Sequence, residues 1–128
     1  MQLNSDTMNR RVMIVESHDG FRHLMGAYLS QEFDVVGAKT GLEAMHWLKK
    51  GPVPHAIVMD TRIPELDGIQ LLSNLRCSGL YCGIPVVVMG QEEESGDGQQ
   101  FRVLGASEYI RKPFSPIYLK ERLLQITG

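Results

Sequence analysis

Hydrophobic residues in this chain follow two alternating patterns. Five short runs are rich in β-branched and aliphatic residues, which is typical of strands buried on both faces of a parallel sheet. These runs are RVMIV (11–15), VVGA (35–38), AIVM (56–59), VVVM (86–89) and EYI (108–110). Between them, apolar residues recur at the spacing of amphipathic helices. The alternation predicts an α/β fold in which helices cover both faces of a parallel sheet and form right-handed crossovers.

Four of the predicted helices have clear sequence signals. The first has an apolar face formed by Phe21, Leu24, Met25, Tyr28 and Leu29. The second begins with a capping-box pattern at Thr40 and Glu43 and ends at Lys49-Lys50-Gly51-Pro52. The third begins at an Asp67 cap and continues to Gly79, and the last begins at Ser115-Pro116. A fifth helix is weakly indicated. Glu92 to Gln100 is polar and contains two glycines, so we expect a long mobile loop there and a helix only from Phe101 to Leu104.

Size and composition favour one soluble globular domain. The chain has 128 residues, of which 43% are hydrophobic and 22% charged, and its formal net charge is -2. We expect a polar tail at 1–9 and a single domain at 10–128. The charge does not favour a protein that binds nucleic acid directly, and no apolar run has the length of a membrane span or the pattern of a secretory signal. A cytoplasmic protein is expected, with Cys77 and Cys82 reduced or, as the alternative, joined in a local disulfide.

Charged residues follow directly after several of the predicted strands. In open α/β sheets, ligands bind beyond the carboxyl ends of the strands, so the residues of interest are Glu16, Lys39, Asp60, Gly90 and Lys112. If the strands before Glu16 and Asp60 are neighbours, two carboxylates face each other and need a proton or a cation between them. Carboxylate oxygens suit Mg²⁺, and an ammonium from Lys112 suits a phosphoryl group.

Two segments resemble a known family. AIVMDTRIPELDGIQLL (56–72) is similar to the phosphoacceptor segment of response-regulator receiver domains, and GASEYIRKPF (105–114) is similar to their last strand. The resemblance covers residues 10 to 127. It implies a flavodoxin-like (βα)5 three-layer sandwich with strand order 2-1-3-4-5. It also implies a phosphorelay protein that accepts a phosphoryl group from a histidine kinase or phosphotransfer protein and signals by binding a downstream protein.

The resemblance assigns a role to individual residues. It implies that Asp60 is the phosphoacceptor and a Mg²⁺ ligand, and that Lys112 contacts the phosphoryl oxygens and precedes Pro113 through a cis peptide bond. Glu16 belongs to the acidic metal site, and Arg62 supplies a backbone carbonyl to Mg²⁺. Tyr109 matches the aromatic residue that changes its packing on activation, with a fixed packed aromatic as the alternative.

Two positions depart from the family pattern. Ser17 stands where the family has a second acidic residue that binds the metal directly, so we expect weakened Mg²⁺ binding. Gly90 stands where the family has a Ser or Thr whose hydroxyl bonds the phosphoryl group. These departures support an alternative function: a pseudo-receiver that binds partner proteins independently of phosphorylation.

Other functions fit the chain less well. A haloacid-dehalogenase-like phosphatase needs a second aspartate two residues after its nucleophile, and Asp60-Thr61-Arg62 lacks it; the dinucleotide pattern GxGxxG is also missing after the first strand. An enzyme acting on an external substrate is therefore not expected.

Homodimerisation through the fourth helix, fifth strand and fifth helix is common in the family and is a possible assembly here.

Overall fold

The computed structural model describes residues 10–91 and 97–128, and its centre is a parallel sheet of five strands in the order 2-1-3-4-5. The strands are β1 (Arg11–Val15), β2 (Asp34–Ala38), β3 (Ala56–Asp60), β4 (Val86–Gly90) and β5 (Glu108–Arg111). The helices are α1 (Asp19–Leu29), α2 (Gly41–Lys50), α3 (Gly68–Arg76), α4 (Asp97–Val103) and α5 (Pro116–Thr127). The predicted α/β class, strand order and three-layer architecture are confirmed.

Alternate residues of the strands serve two separate cores, one on each face of the sheet. In β1, Met13 and Val15 pack with α2, α3 and α4, whereas Val12 and Ile14 pack with α1 and α5. This alternation follows from the strand pleat, which sends successive side chains to opposite faces. The edge strand β2 differs from the prediction of a strand buried on both faces, because only Ala38 among its residues is fully buried. The central strands β3 and β4 are buried along their whole length.

Three helix boundaries differ from those predicted. The helix α3 ends at Arg76 rather than Gly79, because the Ser78 hydroxyl accepts hydrogen bonds from the backbone N–H groups of Leu80 and Tyr81 and starts a separate turn. The helix α4 spans Asp97–Val103 rather than Phe101 to Leu104, so the predicted loop was wrong over residues 97–100. The remainder of that loop, 92–96, and the predicted tail, 1–9, lie outside the described residues.

The helix caps hold the connections that lead to the strand ends. At α3 the capping box is complete, since Asp67 accepts from Gln70 N and Gln70 accepts from Asp67 N. At α2 it is only half formed: Thr40 accepts from Glu43 N, but the Glu43 carboxylate accepts from Lys39 N rather than from the cap residue. Both cysteines are free and exposed, as the reduced alternative predicted.

Candidate functional site

Three charged side chains meet at the carboxyl ends of the strands. Glu16 follows β1, Asp60 ends β3 and Lys112 follows β5. Because β1 and β3 are paired neighbours, the two carboxylates lie on the same edge of the sheet, and both are buried, with exposures of 3% and 8%. Lys112 Nζ lies 2.5 Å from Asp60 Oδ1 and 3.5 Å from Glu16 Oε1. One ammonium thus offsets the repulsion between two buried carboxylates, as the sequence argument required of a cation.

The second oxygen of each carboxylate is held by the backbone. Glu16 Oε2 accepts from His18 N at 3.0 Å, and Asp60 Oδ2 accepts from Arg62 N at 3.0 Å. These bonds fix the orientation of both carboxylates, because a charge-assisted hydrogen bond to a buried group is costly to break. The Lys112-Pro113 peptide bond is cis, as the resemblance implied.

The turn between β1 and α1 contains the remaining residues of the acidic cluster. Ser17 is exposed, and His18 is the N-cap of α1, with Nδ1 accepting from Phe21 N at 3.0 Å. Asp19 points to two cations, with Oδ1 at 2.7 Å from the Arg22 guanidinium and 4.0 Å from Lys39 Nζ. The hydrogen bond from Arg22, followed by the charge of Lys39, lowers the pKa of Asp19. Asp19 therefore forms its ion pairs with Arg22 of α1 and with Lys39.

Arg22 is a site residue that the sequence reasoning missed. Its guanidinium is buried and donates from Nη1 to the backbone carbonyl of Glu16 at 2.8 Å. It thereby ties α1 to the backbone that carries the buried carboxylate. A signal was present in the sequence, although Arg22 was not part of the predicted apolar face: it precedes Met25 and Leu29 at the i, i+3, i+7 spacing of one helix face, where a charged residue needs a buried partner.

The carboxylate oxygens at this edge of the sheet are suitable ligands for a hard divalent cation. Glu16 and Asp60 offer carboxylate oxygens, and Mg²⁺ is commonly held by one or two carboxylates together with water. Across the described ranges, 10–91 and 97–128, no group of three or more His, Cys, Asp or Glu side chains is placed to hold a metal. The oxygen donors that the described side chains bring together at this edge are therefore the two carboxylates of Glu16 and Asp60.

Gly90 and Tyr109 lie together at the end of the strand that pairs with β3 on the side away from β1. Gly90 ends β4, one residue beyond Met89, which is the register partner of Asp60. A Cβ atom on Gly90 would lie 1.9 Å from Tyr109 Oη and 2.7 Å from Tyr109 Cζ. Tyr109 is 7% exposed, so its ring fills the space that a side chain at position 90 would need.

The connection after β3 is anchored on α2. Gly41 N and Leu42 N, two of the first N–H groups of α2, donate to the carbonyls of Pro64 and Glu65. Glu65 and Leu66 have φ values of 53° and 79°, in the left-handed region that costs energy for residues with a side chain. A Cβ on Gly41 would lie 1.9 Å from the Leu66 carbonyl oxygen, so only glycine allows this contact.

Sequence comparisons identify the family. The family model of the response regulator receiver domain matches residues 12–124. The chain is 33% identical over 122 residues to the alkaline phosphatase synthesis transcriptional regulatory protein PhoP of Bacillus subtilis, covering 93% of this chain and 49% of PhoP. It is 27% identical over 120 residues to a chemotaxis protein CheY homolog of Campylobacter jejuni, covering 92% of each. The chain therefore spans about half of PhoP but nearly all of the CheY homolog.

Solved structures of other proteins have the same fold as this chain. A putative response regulator from Chloroflexus aurantiacus has a TM-score of 0.85 at 25% identity, with 92% of this chain and 97% of that chain covered. The receiver domain of the Francisella response regulator 1452 has a TM-score of 0.84, at 24% identity and coverage of 93% and 97%, and supports the fold. Receiver domains bind Mg²⁺ and interact with histidine kinases and downstream partners. The chain belongs to the response regulator receiver domain family and is a receiver domain of two-component phosphorelay signalling.

Proposed function

We propose that Asp60 is the residue that accepts the phosphoryl group, from a histidine kinase or a phosphotransfer protein. The observation that carries this proposal is the position of the Asp60 carboxylate. It is buried at the carboxyl end of a central strand, its Oδ2 is held by Arg62 N at 3.0 Å, and its Oδ1 lies 2.5 Å from the Lys112 ammonium. These two contacts fix the orientation of the carboxylate before a phosphoryl donor binds.

Each residue has a defined part in the transfer. A carboxylate oxygen of Asp60 forms a bond to phosphorus while the phosphorus–nitrogen bond of the donor phosphohistidine breaks, and the freed imidazole keeps the bonding electron pair. Lys112 stabilises the negative charge on the transferred phosphoryl oxygens, as a point charge already in contact with the acceptor. Glu16 keeps Lys112 in this place through its contact at 3.5 Å.

The bound cation that we propose for this site is Mg²⁺, held by Asp60, Glu16 and the backbone carbonyl of Arg62. When bound, Mg²⁺ neutralises charge on the phosphoryl group. Ser17 offers a neutral hydroxyl in place of a carboxylate, so we propose weaker Mg²⁺ binding than a third acidic ligand would give. We propose that Tyr109 and Gly90 connect this chemistry to the β4, α4 and β5 side of the molecule.

We propose that the signal leaves the domain by protein contact. Val103 on α4 and Ile117 on α5 are 78% and 58% exposed, and Arg102 and Arg111 are exposed nearby in the chain. Apolar and arginine side chains of this kind are typical of protein interfaces. We therefore propose that α4, β5 and α5 form the surface that binds a downstream protein or a second copy of this chain.

The test is phosphorylation of the purified chain by acetyl phosphate in the presence of Mg²⁺, followed by intact mass. We expect one phosphoryl adduct, which disappears in Asp60→Asn. The matched control is Asp34→Asn, which removes an exposed carboxylate paired with Arg11, and this variant should still form the adduct. If the wild-type chain and Ser17→Asp both remain unmodified, the proposal is wrong, and the phosphorylation-independent alternative takes its place.

A further inference from the structure

Tyr109 occupies a slot between two glycines, with Gly90 at its hydroxyl and Gly98 beside its ring. Beyond the Gly90 contact already described, a Cβ on Gly98 of α4 would lie 3.3 to 3.6 Å from Cδ1, Cε1 and Cγ of the ring. Phe101 packs at 6.2 Å between ring centroids, and the Arg102 guanidinium lies 5.8 Å from the Tyr109 ring centre. The ring is therefore enclosed by α4 on one side, and its hydroxyl end reaches the end of β4.

The hydroxyl lies at the edge of the sheet where the Asp60 carboxylate lies. The position of a Cβ on Gly90, which is 1.9 Å from Tyr109 Oη, is also 3.0 Å from Cγ2 of Thr61, the residue after Asp60. Thr61 N donates to Met89 O, and Lys112 N donates to Gly90 O at 2.7 Å. The end of β4 is thus tied by backbone hydrogen bonds to the residue after the acceptor and to the lysine that contacts it.

A phosphoryl group on Asp60 would carry three oxygens that need donors. Lys112 Nζ contacts Asp60 Oδ1, and Gly90, at the end of the neighbouring strand β4, has no side chain that could donate a hydrogen bond. A phenol hydroxyl is a good donor to an anionic oxygen, and such bonds are roughly twice as strong as neutral ones. The tyrosine brings its hydroxyl to the end of β4 from β5, two strands away from β3.

We propose that the Tyr109 hydroxyl is a further phosphoryl-binding group of this site, placed there because position 90 is glycine. This inference rests on the proposed function of Asp60. It makes Tyr109 a donor to the transferred group, in addition to a packed aromatic residue. It also gives Gly90 a positive role, since any side chain at that position would expel the hydroxyl.

The test compares wild type, Tyr109→Phe and the double variant Gly90→Ser with Tyr109→Phe. The rate of adduct formation from acetyl phosphate and Mg²⁺ is measured by intact mass, and thermal unfolding is measured in parallel. Phenylalanine keeps the ring and removes the hydroxyl, so we expect about tenfold slower phosphorylation with an unchanged melting temperature. The double variant returns a hydroxyl to this edge from position 90 and should recover at least part of the rate. In the double variant the phenol oxygen is absent, so the 1.9 Å overlap with a Cβ at position 90 no longer occurs. The remaining 2.7 Å contact of that Cβ with Cζ of the ring requires a smaller shift of the ring.

Each outcome decides between the two proposals. If Tyr109→Phe is phosphorylated at the wild-type rate, the hydroxyl has no role and this inference is wrong while the role of Asp60 stands. If Tyr109→Phe is slower and also less stable, recovery in the double variant supports the hydroxyl, and no recovery assigns the effect to packing and overturns the inference. If wild type forms no adduct but Ser17→Asp does, the same comparison is made in the Ser17→Asp background; if neither forms an adduct, both proposals fall.

Discussion

Two regions at the Asp60 edge of the sheet are held together by different kinds of interaction. On the charged side, formed by Glu16 and Lys112, the interactions are ion pairs of 2.5 and 3.5 Å between polar groups. On the aromatic side, formed by Gly90, Gly98 and Tyr109, the contacts are steric, and one methyl group at position 90 would overlap the tyrosine hydroxyl. Changes of charge should therefore affect the charged side most, and changes of side-chain volume should affect the aromatic side most.

We propose that the two regions accommodate departures from the family pattern in different ways. On the charged side, Ser17 is exposed at the position where the resemblance implies an acidic residue, and the two carboxylates share Lys112. On the aromatic side, the ring of Tyr109 from the neighbouring strand lies where a side chain at position 90 would lie, since protein interiors remain close-packed. The first departure is expected to lower the affinity for Mg²⁺, and the second determines which residue occupies the space.

The largest effect is expected from Lys112→Met, which removes the ammonium but keeps most of the apolar stem. Two buried carboxylates then face each other without a cation, so we expect the free energy of unfolding to fall by about 3 kcal/mol at neutral pH. Mg²⁺ should restore more stability in this variant than in wild type, because it binds the folded state only. Urea unfolding with and without Mg²⁺ measures both effects.

The control for this prediction is Lys49→Met, which removes the same charge from an exposed position near the end of α2. If the two variants lose equal stability, the charged side does not depend on Lys112 for its balance.

A smaller effect is expected from Gly90→Ala on the aromatic side. The added Cβ overlaps Tyr109 Oη at 1.9 Å, so the ring must shift from its slot, at a cost of about 2 kcal/mol, as for overpacking elsewhere. Gly83→Ala is the matched control, because no atom lies within 4 Å of its added Cβ. Chemical unfolding should show a loss for the first variant and almost none for the second. Equal stabilities would mean that Tyr109 leaves its slot without cost.

The sequence predicted the charged side well and the aromatic side poorly, for physical reasons. Strand periodicity and the position of ligands in open sheets predict Glu16, Asp60 and Lys112 at one edge of the sheet, and their ion pairs follow from charge. The meaning of Gly90 depends on the rotamer of Tyr109, which a local pattern does not contain. The start of α4 at Asp97 was missed for a related reason, since Gly98 lowers helix propensity but lets the helix approach the tyrosine ring.

Other parts of the fold were hidden because they depend on contacts distant in sequence. The left-handed residues Glu65 and Leu66 have no glycine or asparagine to indicate them, and they are compensated by bonds to the start of α2. The burial of Arg22 was readable as a charge on an apolar helix face, but its partner, the Glu16 carbonyl, is a backbone atom. A backbone partner cannot be identified from the sequence, because every residue has a backbone carbonyl.

A change in metal binding, with little change in stability, is expected from Ser17→Asp. A carboxylate at position 17 adds a charged oxygen ligand next to Glu16 and Asp60, and we expect Mg²⁺ to bind about tenfold more tightly. Calorimetric titration with Mg²⁺ measures the change. Ser30→Asp, which adds the same charge at the far end of α1, should bind Mg²⁺ as wild type does. Equal affinities of the two variants would show that position 17 is not directed to the metal.

The smallest effect is expected from Asp19→Asn, at the outer rim of the charged side. The pKa of Asp19 is lowered in the folded state by the Arg22 hydrogen bond and the Lys39 charge. A lowered folded pKa means that the ion pair stabilises the protein above the unfolded value of 3.8, and that this contribution is lost as the pH falls through the folded pKa. We therefore expect Asp19→Asn to be slightly less stable than wild type at pH 7 and equal to it at strongly acidic pH.

Because Asp19 is exposed, salt should also reduce the difference between wild type and Asp19→Asn. Chemical unfolding across pH, at low and high salt, tests both expectations, with the exposed Glu121→Gln on α5 as control. A difference that persists at acidic pH and high salt would indicate that Asp19 acts through the geometry of the β1–α1 turn instead of its charge. In that case the charged side would share the steric character of the aromatic side, and the contrast between them would hold only for Glu16, Asp60 and Lys112.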